Sequence, residues 1–140
     1  VPRPDRARAA AELARVLRRG GRIVIRTTFR ERLDAVVYDY WPQLRAGDER
    51  RFPAEQEVVA DFVSAGFSLD AVVSFAQPVT ASLAEYHARL AGRPQSKFVP
   101  LTDDEFRAGL ARLETAAGAE ALDKPQPVAE RYDVVVFSRP

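Results

Sequence analysis

The segment Glu12-Leu13-Ala14-Arg15-Val16-Leu17-Arg18-Arg19 stops at Gly20-Gly21 and passes at once into Arg22-Ile23-Val24-Ile25, a succession that constrains the fold more than any other stretch of the chain. Ala10, Leu13, Val16 and Leu17 recur at three- and four-residue spacing and so share one helix face, while Arg8, Glu12, Arg15 and Arg19 point elsewhere. Such a stripe needs a sheet to cover. Asp5 is suited to cap the N-terminus of this helix, and Gly20 supplies the left-handed residue that lets the chain reverse without a Cβ clash. Ile23, Val24 and Ile25 are consecutive and β-branched, which predicts a strand over about 22–29 buried on both faces, as inside a parallel sheet flanked by helices. The expected class is therefore α/β.

Length and composition bound the rest. At 140 residues the chain is expected to form one compact unit over 1–140, with a core that buries roughly two-thirds of the unfolded surface. No apolar run approaches the roughly 20 residues of a bilayer-spanning helix, and the N-terminus has no signal-peptide core, so the sequence reads as cytoplasmic with no membrane partner. Lacking cysteine and holding a single histidine, the chain offers only carboxylate-dominated metal sites, and no metal is assigned. Twenty acids offset 21 bases to give a net charge of +1, which argues against a nucleic-acid surface.

Along the chain the order reads helix, strand, helix, helix, strand, two helices, strand. Leu33, Val36, Val37, Tyr40 and Trp41 fall on one helical face that Pro42 closes, and 43–51 reads as a charged loop. Pro53 at a first helical position and Gly66 just past the end bracket a helix with Val58, Val59, Phe62 and Val63 on its apolar face. A strand follows from Phe67 to about Gln77. Ser82 with Glu85 and Thr102 with Glu105 are capping boxes. They open helices carrying Leu83, Tyr86 and Leu90, then Phe106, Leu110 and Leu113, the second ending near Gly118. Residues 118–127 are a linker, and Tyr132 to Phe137 is the last strand.

The run from Glu12 to Ile25 resembles the segment of class I S-adenosylmethionine-dependent methyltransferases, of the kind called methyltransferase type 11, that reads acidic residue, Leu, any, Arg-Val-Leu, then Arg-Pro-Gly-Gly and a strand; Arg19 stands where proline is usual. Phe52-Pro53, the helix after it and Ala65-Gly66-Phe67 are similar to the family's next helix and sixth strand, and Tyr132 to Phe137 to its seventh. The resemblance implies a partial Rossmann-like methyltransferase sheet of strands five, six and seven with flanking helices. It also implies a helical insertion over 82–120 before the last strand, a candidate substrate lid. In the family, strand seven inserts antiparallel between five and six. S-adenosylmethionine is the implied cofactor of the complete enzyme, but the glycine-rich turn after strand one and the acid ending strand two are absent, and Val1-Pro2-Arg3-Pro4-Asp5 looks like the loop after strand four. The chain is thus expected to be the C-terminal portion of a methyltransferase for a small-molecule acceptor, inactive by itself. The alternative is a non-catalytic interaction or dimerisation module derived from that fold.

Ligands of open parallel sheets sit beyond the carboxyl ends of the strands. The candidate substrate-binding residues are therefore Thr27, Thr28 and Phe29 as a pocket wall and Arg30 as a clamp for an anionic group; no catalytic or cofactor-binding residue is assigned. Tyr38, Tyr40 and Trp41 at helical spacing read as core rather than an aromatic lid. His87 reads as an exposed or half-buried structural residue, and Asp103, Asp104 and Glu105 as a helix start rather than a metal cluster. The strand at 22–29, without strand four beside it, would present an open edge, so a homodimer or exchange of elements between two copies is expected.

Overall fold

The last strand of the chain is the middle strand of its sheet. In the computed structural model, which describes residues 3–92 and 96–140, the elements are α1 (Arg3–Val16), β1 (Arg22–Thr27), α2 (Val37–Tyr40), α3 (Gln43–Arg51), α4 (Glu55–Ser64), β2 (Ser68–Thr80), α5 (Leu83–Gly92), α6 (Asp103–Gly118) and β3 (Val128–Ser138), with short 3-10 turns at Arg30–Arg32 and Ser96–Phe98. The strand order is β1-β3-β2. β1 pairs antiparallel with β3, from Arg22 opposite Ser138 to Thr27 opposite Asp133. Across the other seam Asp70 bonds Ser138, Ser74 bonds Asp133 and Phe75 stacks on Tyr132, so β3 runs backward as β2 advances. β1 and β2 therefore share a direction that β3 opposes, as the sequence reading anticipates.

The chain divides into two compact units: Val1–Leu33 with Gly47–Phe75 and Arg131–Pro140, and Asp34–Ala46 with Ala76–Glu130. Each has an aromatic core of its own. In the first, Ala10, Phe29, Val58, Phe62, Phe67, Val135 and Phe137 are buried together, with Ala14, Leu17, Ile23 and Ile25 packed against them. Phe62 stacks on Phe137 at 4.8 Å. α1 and α4 thus cover the same face of the sheet. The opposite face is left open, which corrects the expectation that β1 is buried on both sides: exposure alternates along it, and Val24 is 66% exposed. Val73 and Phe75 of β2 are exposed as well.

Local differences from the sequence reading have the same origin in packing. α1 turns Ala10, Ala14 and Leu17 inward and leaves Leu13 and Val16 exposed, because small side chains allow closer approach to α4 and the sheet. Asp5 lies inside the first turn rather than at the cap, where a carboxylate still favours the helix dipole. Val1 and Pro2 fall outside the described residues. Gly20 does adopt the left-handed conformation (φ +79°); its N–H donates to the Arg139 carbonyl at 2.8 Å while Arg139 N–H donates to Gly21 at 2.9 Å, so two glycines face one residue of the returning chain. Pro53 precedes α4 instead of opening it, Ala54 being the N-cap. Gly66 ends that helix at φ +103°. Residues 43–51 are a helix and not a loop, although Leu44 is its only buried side chain. The helix expected over 33–41 is reduced to the single turn α2.

In the second unit Trp41 is fully buried, 4.8 Å from Phe98 and stacked on Phe106 at 5.7 Å between ring centres. Its indole Nε1 donates to the Phe106 carbonyl at 3.1 Å. This approach requires Gly109, where a Cβ would lie 2.0 Å from Trp41 Nε1. α5 buries Leu83, Tyr86 and Leu90, and α6 buries Leu113. The Thr102–Glu105 capping box is complete. At Ser82 it is half formed: Ser82 Oγ accepts the Glu85 amide, but Glu85 bonds Ala81 N–H.

Candidate functional site at the end of β1

β1 delivers its last residues to a cavity of about 370 Å3 within the first unit. Ile25, Phe52, Pro53 and Val58 form apolar walls, and Thr27 lines it as well. Arg6 from α1, Arg26 from β1 and Arg51 from the end of α3 also line it, and among the described residues no carboxylate does. Phe52 and Pro53 arrive here because α4 must start beside the end of β1 to cover its face, an arrangement fastened by the Arg30 N–H donating to the Pro53 carbonyl at 2.9 Å.

The three arginines differ in freedom. Arg6 Nε donates to Asp61 Oδ2 at 2.7 Å, and its Nη2 lies 3.6 Å from Glu57; that Nη2 is buried and makes no hydrogen bond. The Arg26 guanidinium lies 4.1 Å over the Tyr132 ring. Arg51 pairs with Asp48 at 2.5 Å, one turn back on the same helix, and its side chain is 56% exposed.

Of the residues singled out from sequence, Thr27 lines the cavity. Thr28 follows half-buried. Phe29 is fully buried in the hydrophobic core, its amide held by Asp133 at 2.8 Å. Arg30 directs Nε to the Phe52 carbonyl at 3.2 Å and Nη1 to Glu57 at 3.5 Å, so its guanidinium fastens the loop to α4. The adjoining Arg32 donates to Glu55 at 2.6 Å; that hydrogen bond, with the nearby Asp133 and Glu31 carboxylates adding to it, holds the guanidinium pKa above its ordinary value.

Arg6 and Arg51 were not anticipated. Arg6 lies in the helix before β1 and Arg51 at the end of α3, and the signal near them was the Phe52-Pro53 pair marking a helix start. In the second unit Trp41 and Tyr38 are buried and Tyr40 is half-buried, in keeping with the core reading. His87 is half-buried. Glu120 caps the start of α5 and the linker through the Leu83 and Gln126 amides, which lower its pKa. Among the described residues no group of three or more His, Cys, Asp or Glu could hold a metal ion. No helix among them is long and apolar enough to cross a membrane.

No protein family and no curated protein matches this chain. Among solved structures the chain is similar to a protein from Galdieria sulphuraria assigned as a sarcosine dimethylglycine methyltransferase, with 15% identity and a TM-score of 0.43. The likeness covers 97% of this chain and 48% of that one, so the chain spans about half the length of the structure it matches.

Proposed function

We propose that this chain is the C-terminal portion of an S-adenosylmethionine-dependent methyltransferase domain, with the cavity at the end of β1 forming part of the site for a small-molecule acceptor. The observation that carries the reading is the sheet: β3, last in sequence, lies between β1 and β2 and runs against both. It joins the resemblance of residues 12–29, in which the strand after the glycine pair is strand five of that fold. On this reading β1 is strand five, β3 strand seven and β2 strand six, and the free side of β1 is the seat of strand four.

Methyl transfer by in-line displacement depends on holding nucleophile and methyl sulfonium in line, and a dedicated base is needed only for weakly acidic acceptors. The residues described here would shape the acceptor side. The glycine turn and the ribose-binding acid that hold the cofactor in such domains have no counterpart within these 140 residues, so S-adenosylmethionine is expected to bind this chain weakly or not at all. Calorimetric titration tests this together with the coding sequence upstream of Val1. A glycine-rich turn upstream and no measurable complex with the isolated chain support the reading; a micromolar complex with the 140 residues alone overturns it.

The open edge of β1 favours a second reading, an interaction module that associates with its own kind. A start codon immediately before Val1 would support it over the first.

A further inference from the structure

We propose that the cavity at the end of β1 takes a small carboxylate with a compact apolar body, gripped by Arg51 and the Thr27 hydroxyl. The proposal rests on the reading of this end of β1 as the acceptor side, and it names the class of acceptor.

The cavity's size is near the lower limit of small-molecule sites, enough for one ring or a branched aliphatic group. Its walls at Ile25, Phe52, Pro53 and Val58 would cover such a body, and apolar surroundings strengthen any charge interaction made inside them. Among the described residues three arginines and no carboxylate line the space, so the field favours an anion. The acids that balance them, Asp61, Glu57 and Asp48, stand behind their arginines rather than in the cavity wall.

Arg51 is the arginine whose ion pair lies nearest solvent, its side chain being 56% exposed against 11% for Arg6. Its pair with Asp48 spans one helical turn, with Asp48 half-buried, and its guanidinium lies 5.3 Å over the Phe52 ring of the cavity wall; a single ion pair at a largely exposed arginine contributes little to stability, so it is the one a ligand would replace. A planar guanidinium matches a planar carboxylate through two parallel hydrogen bonds. Arg30, the clamp expected from sequence, is already engaged by Phe52 and Glu57, so the role passes to Arg51. A phosphate dianion would call for more donors than one largely exposed guanidinium and one hydroxyl supply.

The test is a nuclear magnetic resonance titration of the chain with benzoate, and with benzamide as the neutral isostere, at constant ionic strength. Saturable shifts of the Ile25, Thr27 and Phe52 amides with benzoate, about tenfold weaker with benzamide, are expected. Arg51→Gln, a change at an exposed position, should remove the preference for benzoate, and Thr27→Val should weaken benzoate while the amide spectrum remains that of the folded protein. Equal affinity for benzoate and benzamide, retention of the preference in R51Q, or no saturable shift at these residues overturns the proposal. The titration involves neither cofactor nor methyl transfer. A negative result therefore rejects the carboxylate while leaving the methyltransferase reading to its own test with S-adenosylmethionine.

Discussion

Asp133 accepts the backbone amide of Phe29 at 2.8 Å across a sequence separation of 104 residues, and both residues are fully buried. The same carboxylate takes the Ser74 hydroxyl and stands 3.6 Å from Arg32. One side chain thus ties β2, β3 and the turn after β1. Asp133→Ala leaves the buried Phe29 N–H without its acceptor and removes the partner of the Ser74 hydroxyl, which is expected to cost about 1–3 kcal/mol in chemical denaturation. Asp133→Asn keeps a carbonyl oxygen for Phe29 and should lose less. Hydrogen exchange at the Phe29 amide should rise sharply in D133A and only slightly in D133N.

Tyr86 is 3% exposed, and burial, with the Glu130 carboxylate adding to it, pushes its phenol up from 10.0 to about 12. The fold prefers the neutral phenol. Its contribution is whole below the unfolded value near 10 and disappears as the pH rises to about 12, and a rise of that size corresponds to about 2–3 kcal/mol. Stability should therefore fall across that alkaline window, and Tyr86→Phe should flatten the fall when denaturation midpoints are compared from pH 9 to pH 12.

Gly109 has no room for a methyl group against Trp41. Gly109→Ala should destabilise the second unit by about 3 kcal/mol, at the upper end of the usual cost of overpacking a core. The chain contains a single tryptophan, so the displacement can be read directly as a red shift of its fluorescence. An unchanged emission maximum together with unchanged stability would contradict the packing described.

The open edge and face of the sheet at Val24, Val73 and Phe75 predict concentration-dependent association of the chain with itself. Val24→Lys, at an exposed position of β1, should suppress it without lowering the denaturation midpoint. A stable monomer in sedimentation of the unmodified chain at micromolar concentration would rule the association out.

Much of this architecture was legible because local chemistry and the tertiary fold agree. Thr102 with Glu105 marked α6, Gly66 marked the end of α4, and the valine run of β3 marked a buried strand. The failures share one cause, that apolar residues are not all buried and polar segments are not all loops. Leu13 and Val16 read as an inward face, yet Ala14 is what packs. Residues 43–51 are nearly all polar, so nothing in their spacing announced a helix. The Trp41 cluster had no local signal either, because Trp41 meets Phe98 and Phe106 only after the chain has travelled through β2 and α5. At the site, Thr27 followed from its place at a strand end. Arg6 and Arg51 could not, since neither has a local pattern that distinguishes it from the other surface arginines.

The central position of β3 has a consequence for how the molecule comes into being. β1 and β2 touch each other nowhere in the sheet order, and the strand that joins them is the last to be synthesised. Until it emerges, β1 and β2 lack the strand that pairs with both, and the contacts that complete the first unit span nearly the whole chain, the arrangement that makes folding slow and leaves strand edges exposed meanwhile. The α5–α6 pair, built from neighbours in sequence, has no such wait. Deleting β3 should accordingly do more than fray an end, since among the described residues it is the strand with which both β1 and β2 pair.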